Sequence, residues 1–267
     1  MQTSLADRAA ALLGTAVVGA AALSGGDLSA VHRLRLGNGG SAIAKQGPLV
    51  SQEAEMLAAI ARSGARAPAV LAVTEDLLLI EEMPNDGRLA ASWDSIADTL
   101  NMLHATRRSG YGWQADYAFG RVAIPNGALP DWPSFWAERR LCCHMPHIPA
   151  SLARRLERLA TRLPDLLPAH PAPALLHGDL WGGNILVLGG RLTALIDPAC
   201  YHGDREVDAA MLTLFDSPPD RLFDALALAP GWRARQPIYR LWPLLVHLRL
   251  FGASYAASVE AALEEVE

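Results

Sequence analysis

The stretch "LLHGDLWGGNIL", residues 175–186, carries the reading of this chain. An apolar run breaks off to spell His177, Asp179, Trp181, two glycines and Asn184 before the apolar residues resume. The residues after Asn184 supply the geometry. "ILVL" (185–188), Gly189-Gly190 and "RLTALI" (191–196) form a tight-hairpin pattern, because Gly-Gly accepts the positive φ angles such a turn needs. Folding there places Asn184 almost opposite Leu195 and brings Asp197 beside Asn184. Asp179, Asn184 and Asp197 are therefore expected within one small volume.

Two carboxylates and a carboxamide oxygen suit a hard cation such as Mg²⁺, with phosphate and water completing its octahedron. Phosphoryl transfer calls for such a group, since its transition state spreads negative charge over phosphate oxygens. An Asp, an Asn five residues on, and a further Asp after a hairpin recur in protein-kinase-like enzymes. The plainer alternative is a loop whose Asp and Asn side chains only hold backbone amides.

Composition narrows the setting. The chain has 267 residues, 51% of them hydrophobic, and a net charge of −5, which fits a folded protein and argues against nucleic acid or an anionic membrane as partner. The three cysteines, with Cys142 and Cys143 adjacent, form no disulfide framework and point to a cytoplasmic location. "AAALLGTAVVGAAAL" (9–23) faintly resembles a signal-peptide core, but Asp7 precedes it and it is too short to span a bilayer. We read it as a short helix running into a first strand. No oligomeric state can be assigned.

The first third reads as strands with one helix. "AVHRLRL" (30–36) and "SAIAKQ" (41–46) make a hairpin, 50–63 a helix stopped by Gly64, and "AVLAVT" with "LLLIEEM" a second hairpin. "PNDG" (84–87) marks a lobe boundary. Beyond it, apolar residues at helical spacing begin after Ser92, a predicted N-cap. An aromatic loop (110–133), helices near 133–143 and 150–163, the strand–loop–hairpin region and further helices complete the chain. The expected architecture is an α+β, two-lobed one: a small β-rich lobe over 1–83 and a larger helical lobe over 84–267, with a ligand cleft between them.

In the small lobe, Lys45 shares an inward strand face with Ile43, a place an unpaired lysine avoids. Glu53 stacks with Leu57 and Ala61 on the core side of its helix, whereas Glu55 faces water, so Glu53 is the expected partner that aims Lys45 at nucleotide phosphates; an equal alternative is that Glu53 only favours the helix N-terminus and Lys45 snorkels to solvent. "LSGGDLSA" (23–30) offers Gly25 and Gly26 as open backbone for a phosphate loop, though a plain turn explains it equally.

Other groups are weighed more blandly. His177 is expected to shape its loop, and His104 to pack on an apolar helix face. "CCHMPH" (142–147) lacks a second ligand pair for zinc, and "HGDREVD" (202–208) reads as a structural ion-pair cluster. Among the tryptophans, Trp181 is the one near enough to the chemistry to stack on a substrate.

"HGDLWGGNIL" followed by "LIDPACYHGDREVD" resembles the fructosamine (ketosamine) kinases, a branch of the aminoglycoside-phosphotransferase, protein-kinase-like superfamily. "LSGGDLSAVHRLRL", "EAEMLAAI", "LLIEEM", "DWPSFWAERRL" and "PIYRLWPLLVHLRLFGASY" agree in order, so the resemblance spans nearly the whole chain. Trp181-Gly182 stands where aminoglycoside-directed relatives often carry His-Pro. The resemblance implies a two-lobed protein-kinase-like fold and ATP-dependent phosphorylation of a sugar hydroxyl on a ketoamine, a glycated amine. It makes Asp179 the catalytic base, gives Asn184 and Asp197 the Mg²⁺, sets Lys45 and Glu53 at the phosphates, and matches Glu81 and Met83 to the adenine linker. A family Gln-Pro-Asn on the substrate side becomes "AIPNG" here, with Ile124 replacing Gln, Asn126 retained, and the acceptor left open. The phosphate loop has Ser29 where the family often shows Asn. An aminoglycoside or other hydroxyl-bearing acceptor is the second reading, and an inactive nucleotide-binding protein the third.

Overall fold

The computed structural model describes residues 4–23 and 30–267. Its N-terminal part is built on one antiparallel sheet. After α1 (Leu5–Leu13) come β1 (Val17–Ala22), β2 (Ala30–Leu36), β3 (Ser41–Gln46), α2 (Val50–Arg62), β4 (Val70–Val73) and β5 (Leu77–Glu81), with strand order β1-β2-β3-β5-β4. The period-2 alternation of β3 decides what each face meets. Ala44 joins Leu34, Leu77, Leu79 and Ala9 of α1 in one small core. Ile43 packs with Val50, Ala54, Leu57, Leu78 and Ile80 in a second core under α2. Lys45, on the Ile43 face, is thereby directed at α2 and buried.

The remainder is mainly helical. α3 (Trp93–Ala105) leads to β6 (Tyr117–Phe119) and β7 (Val122–Ile124), then to α4 (Trp132–Trp136) and α5 (Ala150–Leu166). β8 (Ala174–Leu176), β9 (Ile185–Leu188), β10 (Arg191–Leu195) and β11 (Tyr201–Gly203) follow, and α6 (Glu206–Phe215), α7 (Asp220–Leu226), α8 (Trp232–Phe251) and α9 (Ala256–Glu264) close the chain. Its largest core gathers Trp132, Phe135, Trp136, Tyr201, Tyr239 and Trp242. Trp132 Nε1 donates to the Tyr239 hydroxyl at 2.9 Å, which donates in turn to Asp204 at 2.8 Å, so these two buried polar tips are satisfied.

Several sequence expectations need correction. Ser92 holds the N-cap position of α3, but its hydroxyl donates to the Arg88 carbonyl at 3.3 Å instead of capping. The helix expected at 133–143 is α-helical only to Trp136, widens to a π turn over 137–141 and tightens to 3₁₀ over 142–147. The widening turns Arg140 inward, where its guanidinium lies 4.0 Å from the Tyr201 ring centre and 4.8 Å from that of Trp242. The loop 110–133 contains the β6–β7 hairpin, and β11 pairs with β8; neither was anticipated. The three cysteines are free, as expected, and no helix among the described residues is long and apolar enough to cross a membrane.

Candidate active site

The Gly189–Gly190 turn forms with both φ angles positive, at 57° and 77°. Leu195 pairs with Ile185, and the N–H of Ile196 donates to the Asn184 carbonyl at 3.0 Å. A bulge between Leu192 and Ala194 displaces the register by one from a plain count, so Asn184 faces Ile196 rather than Leu195. Asp197 then follows at once, in the left-handed region with φ 53°, a conformation disfavoured for a residue with a Cβ.

Asp179 sits at the other end of this arrangement. Asn184 donates its amide nitrogen to the Asp179 carbonyl at 2.8 Å and to its carboxylate Oδ2 at 3.0 Å. With the nitrogen committed, the carboxamide oxygen is left for another partner. Burial, with the charges of Asp197 and Asp208 behind it, pushes the Asp179 carboxyl up to about 7 against the opposing bond from Asn184.

The glycines of the opening stretch are explained by close approach. A Cβ on Gly182 would fall on the carboxylate of Asp216, and one on Gly183 would fall on the indole of Trp181. Gly182 N–H in fact donates to Asp216 Oδ2 at 2.7 Å, which fixes the turn before Asn184.

Behind the loop lies a carboxylate that sequence reading placed only in a generic cluster. Asp208, fully buried, accepts from the backbone N–H of His177 at 2.9 Å and of Gly178 at 3.0 Å, and lies 2.9 Å from Nε2 of His104. Burial opposes its ionisation, yet these partners hold its pKa below the ordinary range. His177, kept neutral by burial, donates through Nε2 to the Ile196 carbonyl at 2.9 Å and accepts the Asp179 N–H at Nδ1. One imidazole thus ties the loop of Asp179 to the strand end that carries Asp197.

From the sheet, Lys45 makes ion pairs with Glu53 and with Asp197. Burial alone would lower its pKa, but the two carboxylates outweigh that and keep the ammonium charged. Lys45, Glu53, Asp179, Trp181, Asn184 and Asp197 all line one cavity of about 290 Å³. Its far wall is apolar and aromatic, from Phe119, Met211, Trp242, Val246 and Phe251. Among the described residues no group of three or more His, Cys, Asp or Glu is placed to hold a metal alone. Asn184 and Asp197 offer hard oxygen donors for a cation whose remaining ligands are phosphate and water, a fit for Mg²⁺ brought in with a nucleotide.

Other expected site residues stand apart. Gly25 and Gly26 lie outside the described residues. Glu81 ends β5 and Met83 follows it; neither lines this cavity, and Met83 borders a second, more open one with Arg33, Glu82 and Asn85. Asn126, expected at the substrate side, is 2% exposed. Its Nδ2 donates to the Ala115 carbonyl at 3.1 Å and its Oδ1 accepts from Arg140 at 2.7 Å, so it braces the loop before β6. Tyr117, Met211 and the α8 residues of the cavity were not singled out from sequence.

A β-sheet region joined to a helical remainder, with its lysine–glutamate pair opposite an Asp–Asn–Asp set, defines a kinase-like phosphotransferase. The fructosamine kinase model matches residues 15–267, and the chain belongs to that family. A probable ketoamine kinase of Thermus thermophilus is 34% identical over 257 residues, covering 90% of this chain and 91% of that protein. The crystal structure of a Thermobifida fusca protein designated a fructosamine-3-kinase superposes with a TM-score of 0.91 at 30% identity, covering 98% of each chain. The aminoglycoside phosphotransferase APH(4)-Ia shares the fold, with a TM-score of 0.73 at 19% identity over 98% of this chain and 99% of that one. The chain is accordingly a kinase that transfers phosphate to a hydroxyl group.

Proposed function

We propose that this chain is an ATP-dependent ketosamine kinase, phosphorylating a sugar hydroxyl on a glycated amine. The observation that carries the reading is the convergence of Asp179, Asn184, Asp197 and the Lys45–Glu53 pair on one cavity, in a chain of the fructosamine kinase family.

The roles follow from chemistry. Asn184 and Asp197 would hold Mg²⁺ and Lys45 the phosphates of ATP; once bound, the metal would neutralise the charge that develops on the transferred group. Asp179 accepts the proton of the attacking hydroxyl; a carboxylate with a pKa of about 7 is a stronger base than an ordinary one and is still substantially ionised at neutral pH. Asn184 keeps that carboxylate in one rotamer, and Asp208 and His177 hold the backbone on which it sits. Glu53 keeps Lys45 charged and aimed into the cleft. Residues 1–83 form the nucleotide lobe and 84–267 the acceptor lobe, with the linker backbone at Glu81 and Met83 against adenine. Trp181, 39% exposed at the cavity, stacks on the acceptor. The acceptor is a small or protein-bound glycated amine, met in the cytoplasm. Apart from Glu53, Asp179 and Asp197, no carboxylate lines the cavity among the described residues, which disfavours a polycationic aminoglycoside.

The test is ADP release from Mg·ATP with peptides glycated on lysine by glucose or ribose, the product's phosphate position being read by NMR. Turnover with aminoglycosides and none with ketosamines overturns the reading.

A further inference from the structure

We propose that the phenol hydroxyl of Tyr117 binds the acceptor directly, holding a hydroxyl that neighbours the one phosphorylated. This rests on the phosphotransferase reading above and uses the ketosamine only as first probe.

The framework around Tyr117 is rigid. It opens β6, and its ring packs against both large cores of the helical part while meeting Phe119 edge-on at 6.1 Å. The hairpin that carries it is fastened at both ends. Arg121 donates to the carbonyls of Arg249 and Leu250 at the end of α8, the latter at 3.0 Å, and Asp116 accepts the Asn126 N–H at 2.7 Å. A ring so held places its oxygen in one position, as a recognition group requires.

That position is in the catalytic cavity. Tyr117 lines it together with Asp179, Asp197, Glu53 and Lys45, and is the one side-chain hydroxyl among its described lining residues. No described residue exchanges a hydrogen bond with it. Burial first, then the negative charges of Glu53, Asp197 and Asp179, raise its pKa, so the phenol keeps its proton and remains a donor. A phenol needed only for packing would be served by phenylalanine. Lys45 and Asn184 are already committed to carboxylates and Asp179 is the base. The phenol is therefore the hydroxyl at this cavity free to grip a second alcohol of a polyol, as donor and acceptor both, and so turn the first toward Asp179. Sites that hydrogen-bond a substrate hydroxyl discriminate strongly against the analogue lacking it.

Tyr117→Phe removes the hydroxyl and keeps the ring. The parent and Y117F are assayed with a fructosyl-lysine peptide, free sugars, sugar alcohols and an aminoglycoside, and then with a series of singly deoxygenated versions of the acceptor turned over. The expected result is a fall in acceptor kcat/KM of about ten- to a hundredfold, an unchanged KM for ATP, and one deoxy acceptor that the parent disfavours but Y117F does not. Equal kinetics in the two proteins, a loss confined to the KM for ATP, or losses that add independently for every deoxy acceptor overturn the assignment. Parent turnover of ketosamines with an unaffected Y117F overturns only the Tyr117 role. Turnover confined to another hydroxyl acceptor, impaired in Y117F, overturns only the ketosamine reading. No turnover with any acceptor overturns both.

Discussion

Asn184 grips Asp179 twice, through the carbonyl at 2.8 Å and the carboxylate at 3.0 Å. A single carboxamide therefore orients the proposed base and leaves its oxygen free for the proposed cation. Asp179→Asn keeps the size of the side chain and removes its basicity. The variant is expected to lose about 10²–10⁴ in kcat while binding Mg·ATP as the parent does, measured by steady-state kinetics beside calorimetry. An undiminished kcat would take Asp179 out of the role of base.

The same residue gives the nucleotide-free protein a pH signature. Its carboxyl is pushed up to about 7 in the folded chain and has its ordinary, lower value once unfolded. Between those limits the folded state holds a proton that the unfolded state has released. Its contribution therefore makes stability fall as pH rises through that window and level off above it. Urea unfolding from pH 4.5 to 8 should show this slope in the parent and a flatter profile in Asp179→Asn; identical profiles would refute it.

Asp197 is the proposed cation ligand and makes a salt bridge to Lys45. Asp197→Ala is expected to weaken Mg·ATP binding by more than tenfold, about 1.4 kcal/mol, while leaving the weaker binding of metal-free ATP in place. Titrations with Mg²⁺ and with EDTA make the comparison. Equal loss in both would assign Asp197 to fold integrity instead.

Asp208 is buried with two backbone N–H donors and the His104 ring around it. Asp208→Ala strands all three and should cost about 3–5 kcal/mol, seen as a large drop in the denaturation midpoint. A midpoint within a degree of the parent's would show that the loop before Asp179 holds itself.

Asn126 offers the converse case. With its amide shared between Ala115 and Arg140, Asn126→Ala should destabilise by about 1–3 kcal/mol and leave the rank order of acceptors unchanged. A changed order, with stability intact, would return Asn126 to the substrate side.

The legible parts of this protein were those written in local chemistry. Gly189-Gly190 gave the hairpin, and the turn carried Asn184 and Asp197 together even though a bulge beside Thr193 moved the pairing by one. Lys45 and Glu53 were legible because strand and helix periods each pointed one charge inward. The three-residue strands β6, β7 and β11 were not, since so few residues show no period. Asp208 and Asp216 were obscure for another reason: each serves backbone N–H groups about 30 positions away, 30 and 31 for Asp208 and 34 for Asp216. Asn126 was placed by motif alone, and a motif names a residue without saying which way its amide is bonded; here it is bonded to Ala115 and Arg140.

The passage between sheet and helical body is stitched to the β9–β10 hairpin. Thr193 donates to the Pro84 carbonyl, Asn85 accepts from Val187, and Asp86 both donates to Val187 and accepts from Gly189. Residues 84–86 thus travel with Asn184 and Asp197 as one bracket. Glu81 is still paired in β5, so any swing of the sheet must be absorbed by Glu82 and Met83. A two-residue pivot of this kind would let Lys45 approach or retreat while Asn184 and Asp197 keep their spacing, so the rate of nucleotide exchange should answer to the stiffness of that pivot.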